Sequence, residues 1–309
     1  MSRYPVPFLP APPEVGQALS PANRVRGDFR RGLLAAAMAL GAVSILQAQD
    51  TGGEIRTRQL WDMSLRQQRP QKTTKTSALP HNTTDDAFVG ITLWRLRPSK
   101  SEDAPSVRML VHEPESGKDE DWTPERCEAK TPLHAGQRVR ISIESARSGY
   151  LYVVDREQYA DGSFGDAKLI FPTLKTRRGN NKVQAGQVVD IPGTGEGTLK
   201  VELSRPDQVA EELTILVSPK RIEGLSIGSE ALPIPKEQLA EWKKSWGAPN
   251  KELEDPGQAG KAYTPAEKDA AETGAALTDA DPLPQTMFQV KSGPGNPMLV
   301  TVPLKIEKR

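Results

Sequence analysis

Gln137-Arg138-Val139-Arg140-Ile141-Ser142-Ile143-Glu144-Ser145 is the stretch on which the fold turns. Val139, Ile141 and Ile143 alternate with Arg138, Arg140, Ser142 and Glu144. Successive side chains of a strand point to opposite faces, so this two-residue period predicts a half-buried antiparallel strand. Working outward, Ser148-Gly149 forms a connection to Tyr150-Leu151-Tyr152-Val153-Val154, a strand apolar on both faces. A polar stretch over 155–167 follows, with turn chemistry at Asp161-Gly162. Further strands are expected at 168–171, 187–191, 198–203 and 213–217. Upstream they are expected at 91–96 and 107–112, and near the end at 286–291 and 298–306.

Proline supports this reading. It makes up 27 of 309 residues, about 9% against an average near 5%. Pro172, Pro192, Pro206 and Pro219 fall just after or between the expected strands. Proline lacks the N–H that a ladder needs, so it belongs at strand ends, and Pro303 marks an edge or bulged strand. Two helices are expected late in the chain. Leu239, Trp242 and Trp246 share one helical face that ends at Gly247, and Thr264-Pro265-Ala266-Glu267 is a capping box opening a helix over 265–273. Residues 250–261 between them read as a loop. The absence of strand–helix alternation predicts an all-β fold. It is an antiparallel β-sandwich or barrel-like domain over 88–306, with two short C-terminal helices.

The first 48 residues read as an address. Pro5, Pro7, Pro10, Pro12, Pro13 and Pro21 leave no apolar periodicity. Arg24, Arg26, Arg30 and Arg31 then precede an uncharged apolar run over 32–46. That order is a secretory signal, with cleavage expected after Ala48. Arg30-Arg31 also fits a twin-arginine export signal. The run is shorter than the roughly 20 residues of a spanning helix. If it is retained, it anchors the chain in the inner membrane with the N-terminus in the cytoplasm. Export places the product in the periplasm or outside the cell. Residues 49–87 read as a flexible polar linker, with a short apolar patch at Leu60, Trp61, Met63 and Leu65.

The formal net charge of +1 gives no field toward nucleic acid. Cleavage after Ala48 removes five basic and two acidic residues and leaves a net of −2. A single cysteine excludes a disulfide framework, and three histidines argue against a histidine-rich metal centre. No cofactor and no metal are expected. Membrane contact is expected only through the N-terminal segment, if that stays uncleaved.

The strand run over 131–219 carries a resemblance. Its landmarks are Pro132-Leu133-His134-Ala135-Gly136-Gln137, Ser148-Gly149-Tyr150-Leu151-Tyr152-Val153 and Leu169-Ile170-Phe171-Pro172. They continue with Asn180-Asn181-Lys182-Val183-Gln184-Ala185-Gly186, Ile191-Pro192 and Glu212-Leu213-Thr214-Ile215-Leu216-Val217. This order is similar to the bacterial domain of unknown function numbered 4384. The resemblance implies a β-rich accessory module in an exported, stand-alone version, with no assigned catalytic residues.

Candidate chemistry is sparse. Cys127 and His134 are the one possible nucleophile–base pair, but Glu125 and Glu128 flank the thiol and disfavour its thiolate. Asp155, Glu157, Asp161 and Asp166 offer oxygen ligands without the spacing of a calcium loop. Gly193-Thr194-Gly195-Glu196-Gly197 lacks the lysine and helix of a phosphate loop and reads as a turn. Tyr150, Tyr152, Tyr159, Phe164 and Phe171 place five of the 16 aromatic residues within one short stretch. Tyr150, Tyr152, Tyr159, Asp161 and Phe164 therefore make a candidate binding surface for a sugar or peptide strand. Arg138 and Arg140, on a face expected to be solvated, are candidates for an anionic group. The expected function is a non-catalytic, exported binding or structural module of the bacterial envelope, partnered by an envelope protein or cell-wall glycan. An envelope hydrolase acting on glycan or peptide, and a membrane-tethered sensor or scaffold, are the alternatives.

Overall fold

The computed structural model describes residues 60–62, 64, 86–113, 117–193, 197–255, 257–278, 280–293 and 295–308. The leader, its cleavage point and most of the 49–87 linker lie outside the described residues. The strands begin with β1 (Asp86–Pro98), β2 (Met109–Glu113), β3 (Lys118–Cys127), β4 (Leu133–His134) and β5 (Arg138–Ser145). Next come β6 (Gly149–Tyr159), β7 (Ala167–Phe171), β8 (Lys182–Val183), β9 (Val188–Ile191) and β10 (Leu199–Lys200). The last are β11 (Gln208–Ser218), β12 (Leu232–Ile234), β13 (Asn250–Glu254), β14 (Thr286–Lys291) and β15 (Met298–Glu307). Two helices, α1 (Lys236–Trp246) and α2 (Pro265–Thr273), fall where capping and spacing place them.

The strands form two sheets, antiparallel throughout except for one short parallel pairing of β15 with β4. In the first, β10, β5, β1, β14 and β13 lie in that order, with β3 also on β1, β2 on β3 and β9 on β5. The second runs β12, β7, β6, β11, β15, β4, with β8 on β6. The alternating stretch in β5 sits in the middle of the first sheet, with Ile143 across from Ile91 and Ile141 across from Leu93. Val89, Ile91, Leu93, Val139, Ile141 and Ile143 face Leu151, Val153, Leu213, Ile215, Val217, Val300 and Val302 of the second sheet. This is a sandwich-like all-β core. Each such side chain stabilises by roughly 1.5–3 kcal/mol. An exposed ion pair contributes about 0–1 kcal/mol, so the inter-sheet layer dominates.

Each sheet has a covered outer face. On the second, Tyr152, Val154, Leu169, Leu216 and Leu299 pack under Leu239 and Trp242 of α1. Trp246 stacks on Trp242 with ring centres 6.0 Å apart. On the first sheet the cover is α2 and the segments flanking it. Thr264 Oγ1 accepts from the Glu267 N–H, and Glu267 Oε2 accepts from the Thr264 N–H, closing the capping box. Residues 60–62 and 64 are helical, and Trp61 packs with Phe88, Ala146, Leu283 and Met287.

Three expectations need correction. The polar face of β5 is not solvated: Arg140, Ser142 and Glu144 are 3%, 4% and 7% exposed. Alternation separates two faces but leaves open whether a second layer covers the polar one. Residues 250–261 contain β13, which pairs with β14; its Asn250-Lys251-Glu252-Leu253-Glu254 sequence suits a polar edge strand rather than a core one. The stretch 155–167 is strand as far as Tyr159, because β6 continues along β11 past its apolar part. Pro303 sits on β15 opposite Glu212 of β11, and the pairing with β4 begins only at Ile306. Among the described residues no helix is long and apolar enough to cross a membrane.

Candidate functional site

The turn from β6 into β7 gathers three of the expected site residues. Asp161 Oδ1 accepts from the Ser163 N–H at 2.8 Å and from Ser163 Oγ at 2.6 Å, which fixes the turn. Gly162 takes φ of +81°, a conformation open to glycine at little cost. The two Ser163 hydrogen bonds hold the Asp161 carboxyl below the usual carboxylate range. The Arg156 guanidinium lies 3.6 Å from the centre of the Phe164 ring, and that of Arg205 lies 3.9 Å from the Tyr159 ring. Such contacts are worth about 0.5–1 kcal/mol at exposed sites. Arg156 Nε donates to Glu212 Oε1 at 2.7 Å, and Arg205 pairs with Asp207 at 2.7 Å. Two arginines and two aromatic rings are thus layered at one end of the second sheet.

A hydrogen-bond chain leads inward from this turn. Tyr159 Oη and Ser204 Oγ are 3.1 Å apart. Ser204 N–H and Oγ both donate to Gln208 Oε1, at 2.8 and 3.1 Å. Gln208 Nε2 donates to Glu211 Oε1 at 2.7 Å. Glu211 and Asp155 are diagonal neighbours on the inward face, since Glu211 lies across from Glu157 and Asp155 across from Leu213. This register sets the two carboxyls side by side, close enough for the charge of Asp155 to raise the Glu211 carboxyl. Asp155 Oδ1 and Glu211 Oε2 are buried and find no donor among the described residues. Two ionised carboxylates would both be acceptors, so burial here favours a proton on at least one of them. Burial, reinforced by Asp155 and then Glu157, pushes the Glu211 carboxyl up to about 8. Burial and Glu157 push Asp155 up to about 6.

The other expected residues go elsewhere. Tyr152 is 2% exposed, and its Oη accepts the Ile222 N–H at 2.8 Å. Its ring belongs to the core under α1, with Tyr150 half-buried beside it. The buried Tyr152 ring therefore presents no face for stacking a ligand, contrary to what the alternation suggested. Arg138 donates to Thr198 Oγ1 at 3.2 Å on the first sheet. Arg140 lies beneath α2, donating to Asp190 at 3.2 Å and to the Gly197 carbonyl at 2.6 Å. Asp190 also accepts from Ser142 and Tyr263, at 2.5 and 2.8 Å. Trp94 donates to Ser142, meets Tyr263 edge-on, and lies under Arg126, which pairs with Glu267. This sealed network fastens α2 to the sheet. Glu144 beside it lines a small cleft of about 20 Å³ with Trp61, Thr278, Asp281 and Pro284. That is room for one water.

The expected acids do not converge as a set. Asp166 is exposed near Lys236, Asp161 faces its own turn, and Glu157 leans toward Lys168 at 3.8 Å. Among the described residues no group of histidine, cysteine or carboxylate side chains is arranged to hold a metal. Cys127 points into the inter-sheet core, and burial pushes its thiol up. His134 is paired with the Glu307 carbonyl at 3.1 Å. Arg156, Ser204, Arg205, Gln208 and Glu211 are the members that sequence reasoning missed. No family model, curated protein or solved structure matches this chain.

Proposed function

We propose that the chain is a non-catalytic, exported β-sandwich module that binds a partner in the bacterial envelope through its β6–β7 turn. The observation that carries this is the layering of Arg156 on Phe164 and of the exposed Arg205 on the buried Tyr159 ring, around Asp161 at one end of the second sheet. Turns on a stiff scaffold are where recognition concentrates, and tyrosine and arginine are the side chains that dominate interface energetics. Export rests on the basic cluster followed by the apolar run over 32–46. The resemblance of 131–219 to an accessory module points the same way. The partner class is an envelope protein or a cell-wall glycan. A retained anchor in the inner membrane would make the same domain a tethered sensor or scaffold. A reporter fused after Lys308, with the size of the processed product, separates released from tethered forms.

The test is co-sedimentation with isolated cell walls and cross-linking in intact cells. The double variant Phe164→Ala/Arg205→Ala should lose at least tenfold in captured partner while melting as the wild type does. Undiminished capture by that variant, or no capture by the wild type, refutes the proposal. The carboxyls of Asp155 and Glu211 favour a second reading, an envelope hydrolase, because carboxyls of unequal proton affinity suit acid–base chemistry. Turnover of wall glycan or peptide that Glu211→Gln abolishes would establish it.

A further inference from the structure

Asp155 on β6 and Glu211 on β11 are diagonal neighbours across the strand pairing, next in the inward series to Leu151 and Val153 and to Leu213 and Ile215. Each leaves one buried oxygen without a donor among the described residues. From Glu211 the hydrogen bonds run unbroken through Gln208 and Ser204 to Tyr159 at the base of the turn. We propose that this pair is a proton-operated latch. One shared proton joins β6 to β11 and holds the β6–β7 turn and the 204–208 segment in place, and its loss releases them.

The surroundings set the direction. Glu157 on β6 faces the pair with a like charge, and Lys168 on β7 is the cation on that side. Across from Glu211, β15 contributes Leu304, part of the apolar core. Arg156, Glu212 and Lys243 form their own ion-paired group, with Lys243 reaching it from α1. Two ionised carboxylates would therefore repel each other, with Glu157 adding to the repulsion and one lysine to offset it. Both groups are raised from their ordinary values, so the contribution is complete below about pH 3.8 and is lost as pH rises, through about 6 for Asp155 and about 8 for Glu211.

The test uses amide hydrogen exchange on the unliganded full chain, so its outcome does not depend on the binding proposal. Protection at 159–166 and 204–208, corrected for the intrinsic rate, should fall between pH 5 and pH 8. Between about pH 6 and pH 8, where only the Glu211 proton distinguishes the closed from the open form, the slope should approach tenfold per pH unit, and it should level off above about pH 8. In Glu211→Gln the amide donates to Asp155 at any pH, so the slope should vanish. Glu144→Gln, on the other sheet, should leave it intact. A flat wild-type profile, a Gln variant that keeps the slope, or a Glu144→Gln variant that loses it overturns the latch. If Glu211→Gln does not fold, Asp155→Asn supplies the donor from the other strand. The Glu211 carboxyl carbon, followed by NMR in the wild type, should titrate near 8; a midpoint in the ordinary carboxylate range also overturns it.

Discussion

At Arg177 and Arg178 the backbone takes φ of +52° and +53°, in a region that L side chains avoid. The left-handed conformation costs such a residue about 1–2 kcal/mol, a cost glycine escapes. Arg178 is exposed, so its side chain gives little in return. Arg178→Gly should therefore raise stability by about 1 kcal/mol, read as a higher urea midpoint at unchanged slope. A midpoint that stays or falls would show that the arginine is held there by something other than its conformation. Tyr152 shows how much is legible at this scale. Its neighbours in sequence put it on one face of a strand with Tyr150. Nothing in those residues says that Trp242, 90 positions away, would cover that face. Asp161 was legible because turn chemistry is local, while Tyr159 and Phe164 stood out only as part of an aromatic-rich stretch. Glu211 was not legible, because its meaning comes from a register with β6. A trace of it is present nonetheless. Asp155 continues the inward series Leu151, Val153, and Glu211 precedes the inward series Leu213, Ile215, Val217. Two acids on a core-facing period are a signal that a longer alternation count would have found.

Among the elements, α2 is the one whose local sequence and tertiary role coincide. Thr264 caps it, Pro265 opens it, and Gly274 with φ of +74° closes it. The same Glu267 that completes the capping box pairs with Arg126 over the Trp94 ring. Thr264→Ala should cost about 1 kcal/mol through the lost cap alone. Glu267→Gln should cost more, about 3 kcal/mol, because it removes the carboxylate that pairs with the buried Arg126 and leaves only the more distant charges of Glu144 and Asp255. Chemical denaturation of the two variants checks the ranking. Equal losses would mean that the ion pair adds nothing beyond the cap. The elements that escaped sequence reading share a physical cause. β3 reads Lys118-Asp119-Glu120-Asp121-Trp122-Thr123-Pro124-Glu125-Arg126-Cys127, with no alternation and a proline inside. It is a strand because β1 and β2 pair with it on either side. β13 likewise borrows its conformation from β14. Strands that bring few apolar residues are specified by their partners, and partners are not visible in a window of ten residues.

For the whole molecule, the decisive quantity is how many carboxyls are raised by burial more than nearby cations lower them. Beneath α2 two arginines, Arg126 and Arg140, answer two carboxylates, Glu267 and Asp190. Glu144 is the third acid of that layer, and burial pushes it up to about 8. Glu254, on the edge strand beside Glu252, is pushed by burial up to about 7, and Glu211 at the opposite sheet up to about 8. A group bound more tightly to its proton in the folded chain stabilises below its unfolded value, near 4.5 for glutamate, and that contribution drains away as pH rises. The counterweight is at lower pH. Asp103, held by Arg97 well below the usual carboxylate range, stabilises above about 3.8 and loses that contribution in stronger acid. The two trends cross in mild acid, below the pH 5 to 8 range where stability usually peaks. The melting temperature should therefore be several degrees higher at pH 5 than at pH 8, and Glu144→Gln should narrow the gap by removing one of the protons taken up on folding. Scanning calorimetry at constant ionic strength measures both. A melting temperature that climbs from pH 5 to pH 8 would mean that these carboxyls ionise inside the fold, and that cations or water reach them by routes the closed layers do not show.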